Sequence, residues 1–253
     1  MSPDDHYFSP DGPRVLAHRG LAVEAPENTL LAFAHALALG VEYLETDVHA
    51  SADGVAMVAH DPDLSRVIGR PEKVSDLTVA ELAALDLGEG QHMPTLAEAL
   101  DAFPDARVNI DLKDAAAVPS AVESITSLRA EKRVLLTSFS ERRRRAAIAR
   151  LPGVATSASG PLFAGALLAA SVRGGPAVRR LLRGIQAVQI PERALGMNTV
   201  TPGRLRQYHA AGVEVHVWTI NDVDSMHRLL DLGVDGIVTD RADLAMDVVR
   251  SRP

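Results

Sequence analysis

Two histidines and three carboxylates stand on or beside short apolar runs in the first half of the chain. They are His18 in VLAHRG, Glu45 and Asp47 in LETDVHAS, His60 in VAMVAHD and Asp111 in NIDLK. Three acids brought to one point repel each other unless a cation sits among them. With oxygen-only ligands and no cysteine in the chain, the fitting ion is a hard divalent one, Mg²⁺ or Ca²⁺. Arg19 and Lys113 add two positive charges nearby. The formal charges of three carboxylates, a divalent ion, these two cations and one phosphodiester then cancel, which suits a bound phosphate better than a neutral sugar. An imidazole titrates near neutral pH, so His18 and His60 are read as a base and an acid acting on either side of phosphorus. The cations would stabilise charge on the non-bridging oxygens.

These groups are far apart in sequence, so the fold must gather them. Asp53-Gly54 between strand-like runs is a hairpin signal. A two-residue turn there sets Asp47 opposite His60. Alternation along a strand puts Glu45 and Asp47 on one face, and likewise Asp111 and Lys113.

Strand and helix signals alternate along the rest of the chain. Strands are expected at 15–17, from Leu44, and at 107–112, 134–138, 154–157, 187–190, 214–219 and 236–239. Helices are expected at 30–39, 95–102, 117–130, 141–150, 165–172, 202–211 and 223–232. Eight βα units in a chain of 253 residues point to an α/β (β/α)8 TIM barrel. We read 1–253 as a single barrel domain with a small insertion after the second-strand hairpin, at about 64–91. An open doubly wound sheet is the rival, weakened by the lack of a Gly-rich fingerprint after the first strand. Barrel sites lie at the C-terminal strand ends. His18, Arg19, Glu45, Asp47, Asp111, Lys113, Trp218, Asn221 and Asp240 all fall there. Residues 1–13 read as a loose leader.

Composition excludes several classes. A net charge of −7 is wrong for a general nucleic-acid binder, which needs a cationic surface. Without cysteine there are no disulfides, thiolate metal sites or thiol nucleophile. The polar, Pro-rich N-terminus lacks the basic start and apolar run of a signal peptide, and the apolar stretch around 162–172 is too short to span a bilayer. A cytoplasmic protein without stable membrane insertion is expected. The sequence carries no signal of oligomeric state.

The motifs HRG (18–20), PENT (26–29), the acid pair of LETDV, DG (53–54), HD (60–61), NIDLK (109–113), VWTIN (217–221) and GIVTD (236–240) resemble, in order and spacing, the glycerophosphodiester phosphodiesterase family. The likeness covers nearly the whole chain from Val15. It implies a (β/α)8 barrel with an insertion after the second histidine, and hydrolysis of small-molecule glycerophosphodiesters to glycerol 3-phosphate and an alcohol with a divalent ion. By position it implies His18 and His60 as the acid–base pair, Glu45 and Asp47 as metal ligands, and Arg19 and Lys113 near the phosphate. The family's third ligand is usually a glutamate, and the matching residue here is Asp111.

Asn28 reads as a helix cap that also touches the site, and Trp218 as a ring stacking on the substrate's glycerol. His49 reads as a residue behind the rim or in solvent, and His216 as an interior polar residue. Arg142 to Arg145 reads as a solvated face, and Arg173, Arg179, Arg180 and Arg183 as a basic loop. Two rival functions are a lysophospholipase D or sphingomyelinase D type of phosphodiesterase, and a non-catalytic barrel that binds phosphorylated ligands.

Overall fold

The computed structural model describes residues 6–9 and 12–252. Eight parallel strands form the frame. They are β1 (Arg14–His18), β2 (Tyr43–Ala50) and, after an antiparallel arm β3 (Ala56–Val58), β4 (Arg107–Leu112), β5 (Val134–Thr137), β6 (Ala155–Thr156) and β7 (Ala187–Pro191). A short hairpin of β8 (Arg193–Ala194) and β9 (Met197–Asn198) precedes β10 (Glu214–Trp218) and β11 (Gly236–Thr239). The hydrogen-bonded order is β6-β5-β4-β2-β1-β11-β10-β7, and a parallel bridge from Ser157 to Ala187 brings the two edges together. This is the expected (β/α)8 barrel.

The helices are α1 (Leu30–Ala38), α2 (Ser65–Ile68), α3 (Val79–Ala83), α4 (Leu96–Ala102), α5 (Ala117–Ser127), α6 (Glu141–Ile148), α7 (Gly160–Ser171), α8 (Gly175–Leu181), α9 (Pro202–His209), α10 (Val223–Leu232) and α11 (Ala242–Arg250). Their starts are written locally. Thr29 caps α1 by accepting from the Ala32 amide, and Thr78 with Glu81 and Thr95 with Glu98 form capping boxes at α3 and α4, each satisfying amides that a helix start leaves unpaired. α2 and α3 fold over β3 around a small core of Met57, Leu64, Val74, Leu82 and Met93.

Alternation along each strand divides the side chains. Val15, Ala17, Leu44, Val48, Val108, Ile110, Leu112, Val188, Val215 and Ile237 pack outward under the helices in the main core. The inward set is far more polar, with Glu45, Asp47, Asn109, Asp111, Gln189 and His216 among Leu16, Leu135 and Val238. Such residues are costly to bury without partners. An interior built of them is made for a ligand.

Four sequence expectations are corrected. The β2–β3 register pairs Val48 with Val58 and Ala50 with Ala56, one residue away from a two-residue turn. The connection is a three-residue loop in which the Gly54 amide donates to the Ser51 carbonyl and Gly54 takes φ 82°, the left-handed conformation that a bulged hairpin loop demands. Ala59 therefore faces Asp47, donating its amide to the Asp47 carbonyl at 3.0 Å. His60 lies past the end of β3.

The leader is partly built in. Tyr7 is buried with its ring edge-on to Tyr43 at 5.3 Å, sealing the barrel floor beside Arg14; residues 1–5, 10 and 11 lie outside the described residues. The basic region expected as a loop contains α8, with Pro176 in its first turn, where a missing amide hydrogen costs nothing. Finally, Arg142 to Arg145 is only half a solvated face. Arg144 is buried against Glu141 and Thr156, and Arg143 donates to the Ser138 hydroxyl at 3.0 Å.

Candidate active site

At the C-terminal end of the barrel a cavity of about 380 Å³ is lined by His18, Arg19, Glu45, Asp47, His60, Asp111, Lys113 and Trp218, a size ordinary for small-molecule sites. Asn221 and Asp240, expected at the same rim, do not line it, but every residue given a catalytic, binding or metal role from the sequence is in its wall except Asn28. The loop that presents the first of them is tightly determined. Arg19 and Gly20 take φ 60° and 86°. A Cβ on Gly20 would lie 2.7 Å from the Ala32 carbonyl carbon, so only glycine lets this turn rest on α1. The Arg19 amide donates to the Glu45 carbonyl at 3.0 Å and to its carboxylate at 3.2 Å. This ties the end of β1 to β2.

Asn28 sits behind the wall. Its amide donates to the Arg19 carbonyl at 2.9 Å and its Oδ1 accepts from Thr46 Oγ1 at 2.8 Å, so it fixes the loop carrying Arg19. It borders a smaller pocket with Glu27, His60 and Asp61.

Each histidine is held the same way. His18 Nδ1 lies 2.6 Å from Asp240 Oδ1, and Asn221 donates to Asp240 Oδ2 at 2.7 Å. His60 Nδ1 lies 2.7 Å from Asp61 Oδ1, and Arg66 binds the other Asp61 oxygen. A carboxylate on Nδ1 fixes the tautomer and leaves Nε2 as the nitrogen for chemistry. The ring hydrogen bond from His18 is the leading reason why Asp240 ionises below the usual range. For Asp61, burial acts in the opposite direction but is outweighed by hydrogen bonds from His60 and Arg66. His49 bridges Asp114 (3.2 Å) and the His60 carbonyl (3.2 Å), so it steadies the loop behind His60. His216 is fully buried 3.0 Å from Glu214, an interior residue as read.

Arg66 also clamps Glu27 with two bonds of 2.6 and 2.9 Å, and Glu27 pairs with Arg19 at 2.9 Å. The chain Asp61–Arg66–Glu27–Arg19 thus links the loops of the two histidines. Sequence reading missed this chain and the orienting roles of Asp61 and Asp240. Asp61 follows His60 directly and Asp240 ends the last strand, which were the available signals. It also missed the apolar wall of Phe139, Phe163 and Ala194 and the polar Gln189. Phe139 meets Trp218 edge-on at 6.3 Å.

The acids of β2 and β4 converge. Asp47 and Asp111 are register partners, and Lys113 Nζ stands 2.8 Å from Asp47 Oδ1 and 2.7 Å from Asp111 Oδ2. Arg19 Nε is 3.5 Å from Asp47 Oδ2. Burial, reinforced by the charges of Asp47 and Asp111, pushes the Glu45 carboxyl well above the ordinary range. Burial also raises Asp111, against the pull of Lys113. Lys113 is itself raised, because its two anions overcome its burial.

Among the described residues no three of His, Cys, Asp or Glu are spaced to ligate one ion in this arrangement, where the ammonium of Lys113 bridges two of the acids. The chemistry nevertheless fits a hard divalent cation. The donors are all carboxylate oxygens. Asp47 Oδ2 and Asp111 Oδ1 are buried without a hydrogen-bond partner, and one lysine and one arginine face three acids.

The chain matches known proteins over nearly its whole length. The profile described as "Glycerophosphoryl diester phosphodiesterase family" matches residues 18–244. The chain is 44% identical over 253 residues to the "Probable glycerophosphodiester phosphodiesterase 2" of Mycobacterium tuberculosis, covering 99% of this chain and 96% of that one. Among solved structures, a putative glycerophosphoryl diester phosphodiesterase from Silicibacter pomeroyi superposes with a TM-score of 0.80 at 27% identity, covering 95% and 94% of the two chains. A phosphodiesterase of Oleispira antarctica, solved in complex with the product sn-glycerol-3-phosphate, superposes at 0.78 with 25% identity over 94% and 97%.

Proposed function

This chain belongs to the glycerophosphoryl diester phosphodiesterase family, and from that premise we propose that it splits glycerophosphodiesters into glycerol 3-phosphate and an alcohol by a divalent-ion-assisted reaction in which His18 and His60 move the protons. The observation that carries this reading is the pair of imidazoles, each anchored through Nδ1 to a carboxylate, in the wall of one cavity that also holds Arg19, Lys113 and three acids.

His18 is the base. It takes a proton either from the glycerol hydroxyl next to the phosphate or from a water, and the oxygen so freed attacks phosphorus. His60 donates its proton to the departing alcohol oxygen as the P–O bond breaks. When the hydroxyl is the nucleophile the first product is a cyclic phosphate, which water then opens. That route needs no second molecule to be oriented in the first step. Arg19 and Lys113 bind the non-bridging oxygens. Glu45, Asp47 and Asp111 are the residues that would hold Mg²⁺ or Ca²⁺, which when bound supplies positive charge beside the phosphoryl oxygens. Trp218 and Phe139 form the apolar side against which the glycerol carbons rest.

The test is release of glycerol 3-phosphate from glycerophosphocholine in the presence of Mg²⁺ or Ca²⁺. Activity should disappear on chelation and return on adding the ion. Turnover by ion-free protein would remove the metal from the mechanism. Turnover of lysophospholipids without turnover of deacylated diesters would favour the lysophospholipase D reading instead.

A further inference from the structure

The helix along one side of the cavity mouth lacks a polar face. Of the twelve residues of α7, GPLFAGALLAAS, only Ser171 is polar. Ala166, Leu167 and Ala170 are buried, yet Leu168 is 55% exposed and Val172, which caps the helix end, is 79% exposed. These two are four residues apart, so they share one face. A surface helix ordinarily turns charged or polar residues to water, and one apolar all round is ordinarily buried.

The apolar surface continues beyond the helix at both ends. Phe139, 62% exposed, adjoins the start of α7, where its carbonyl accepts the Gly160 amide at 3.2 Å. Leu195, 65% exposed, is carried by the β8–β9 hairpin, which meets the end of α7 where Ser171 Oγ lies 3.5 Å from Met197 Sδ. Phe139, Phe163 and Ala194 also line the catalytic cavity. Phe139 is thus both exposed and part of the cavity wall, and exposed Leu195 directly follows the wall residue Ala194, so the ridge reaches the cavity at both places.

Charge around the ridge is one-sided. From Gly160 to Pro191, along α7 and α8 and into β7, the chain has no aspartate or glutamate and four arginines, in a protein whose net charge is −7. Arg173 follows the end of α7, Arg179 and Arg180 ride on α8, which packs back along α7 with Leu181 against Gly165, and Arg193 is on the hairpin. All four are exposed. An apolar strip edged by arginines matches a surface that offers anionic head groups over hydrocarbon. A two-fold contact with a second copy would bring two surfaces of the same sign together.

We propose that α7, the β8–β9 hairpin and Phe139 form a docking face for an anionic lipid bilayer, on which the enzyme lies with its cavity mouth toward the head groups. The contact is interfacial: α7 is too short to cross a bilayer, and no helix among the described residues is long and apolar enough to do so. Docking does not depend on the acid–base chemistry, so the two are tested apart.

The experiment is co-sedimentation of the full chain with vesicles of phosphatidylcholine containing phosphatidylglycerol, and with phosphatidylcholine alone. The protein should bind the mixed vesicles at least about tenfold better than the neutral ones, and added salt should weaken that binding. Leu168→Asp with Val172→Asp should lower binding about tenfold or more, while hydrolysis of soluble glycerophosphocholine stays at the parent rate, which shows the fold intact. Arg179→Glu with Arg180→Glu should remove the preference for anionic vesicles. Absence of binding to mixed vesicles, unchanged binding by the Leu168/Val172 variant, or a solution dimer that this variant splits would each overturn the proposal, the last by showing that a second copy covers the ridge.

Discussion

The Nδ1 of His18 and the Oδ1 of Asp240 lie 2.6 Å apart, joining the first barrel strand to the last. β11 delivers Asp240 to the rim, and Asn221 holds its other oxygen at 2.7 Å. The carboxylate thus fixes the ring from outside the cavity lining. His18→Ala and His60→Ala should each lower kcat by about 10²-fold or more. Asp240→Asn keeps the shape but withdraws the anion that steadies the charged ring. It should lower kcat by about tenfold with KM nearly unchanged. Steady-state kinetics on glycerophosphocholine reads both, and a KM effect without a kcat effect would place Asp240 in substrate binding.

Lys113 holds apart two buried acids that would otherwise repel. Lys113→Met removes the ammonium and keeps the stem, leaving Glu45, Asp47 and Asp111 without it. The folded state should then lose about 3–5 kcal/mol in chelator, the usual scale for orphaning buried charge. Mg²⁺ or Ca²⁺ should restore more of the Tm in this variant than it adds to the parent. Thermal unfolding with and without the ion measures this independently of turnover. Equal ion effects on both proteins would mean that the three acids do not share a cation.

Much of this arrangement was legible because barrel periodicity and motif residues are local signals. The ends of β4 and β11 and the bounds of α10 coincide with the sequence reading. His60 was placed in the site by a hairpin register that proved one residue off. It reaches the cavity because β3 stops at Val58 and the following loop swings over the rim, and nothing in an alternating pattern reports where pairing stops. Tyr7 was missed because an aromatic pair, Tyr7-Phe8, in a polar, Pro-rich segment looks like solvent until the barrel floor it fills is known. Asp240, Asp61 and the Arg66–Glu27–Arg19 chain act between distant loops. Their residue types were visible but their pairings are tertiary.

Gly20 is where the site depends most directly on backbone geometry. Its φ of 86° and the 2.7 Å approach that an added Cβ would make to Ala32 act together. Gly20→Ala should destabilise the fold by about 2–3 kcal/mol and lower activity further, because the displaced turn carries His18 and Arg19. Denaturant unfolding measures the first effect, and kcat/KM on the folded fraction the second. A variant with parent stability would show that α1 yields easily at Ala32.

The barrel floor should give the protein a marked acid sensitivity. Glu214 accepts from Arg14 at two distances of 2.7 Å and lies 3.0 Å from His216 Nε2. Burial works against its ionisation, but the hydrogen bonds from Arg14 and His216 prevail and hold its carboxyl down to about 2. The folded-state value is below that of the unfolded chain, so its contribution is complete above the ordinary glutamate range and declines as pH falls toward about 2. The displacement corresponds to about 3 kcal/mol at neutral pH. Glu214→Gln cannot titrate, so the stability gap between parent and variant should be widest near pH 7 and about half as large at pH 3. Urea unfolding at the two pH values decides this. A gap that stays constant would show that the floor is held by shape and hydrogen bonding, with the carboxylate charge adding nothing.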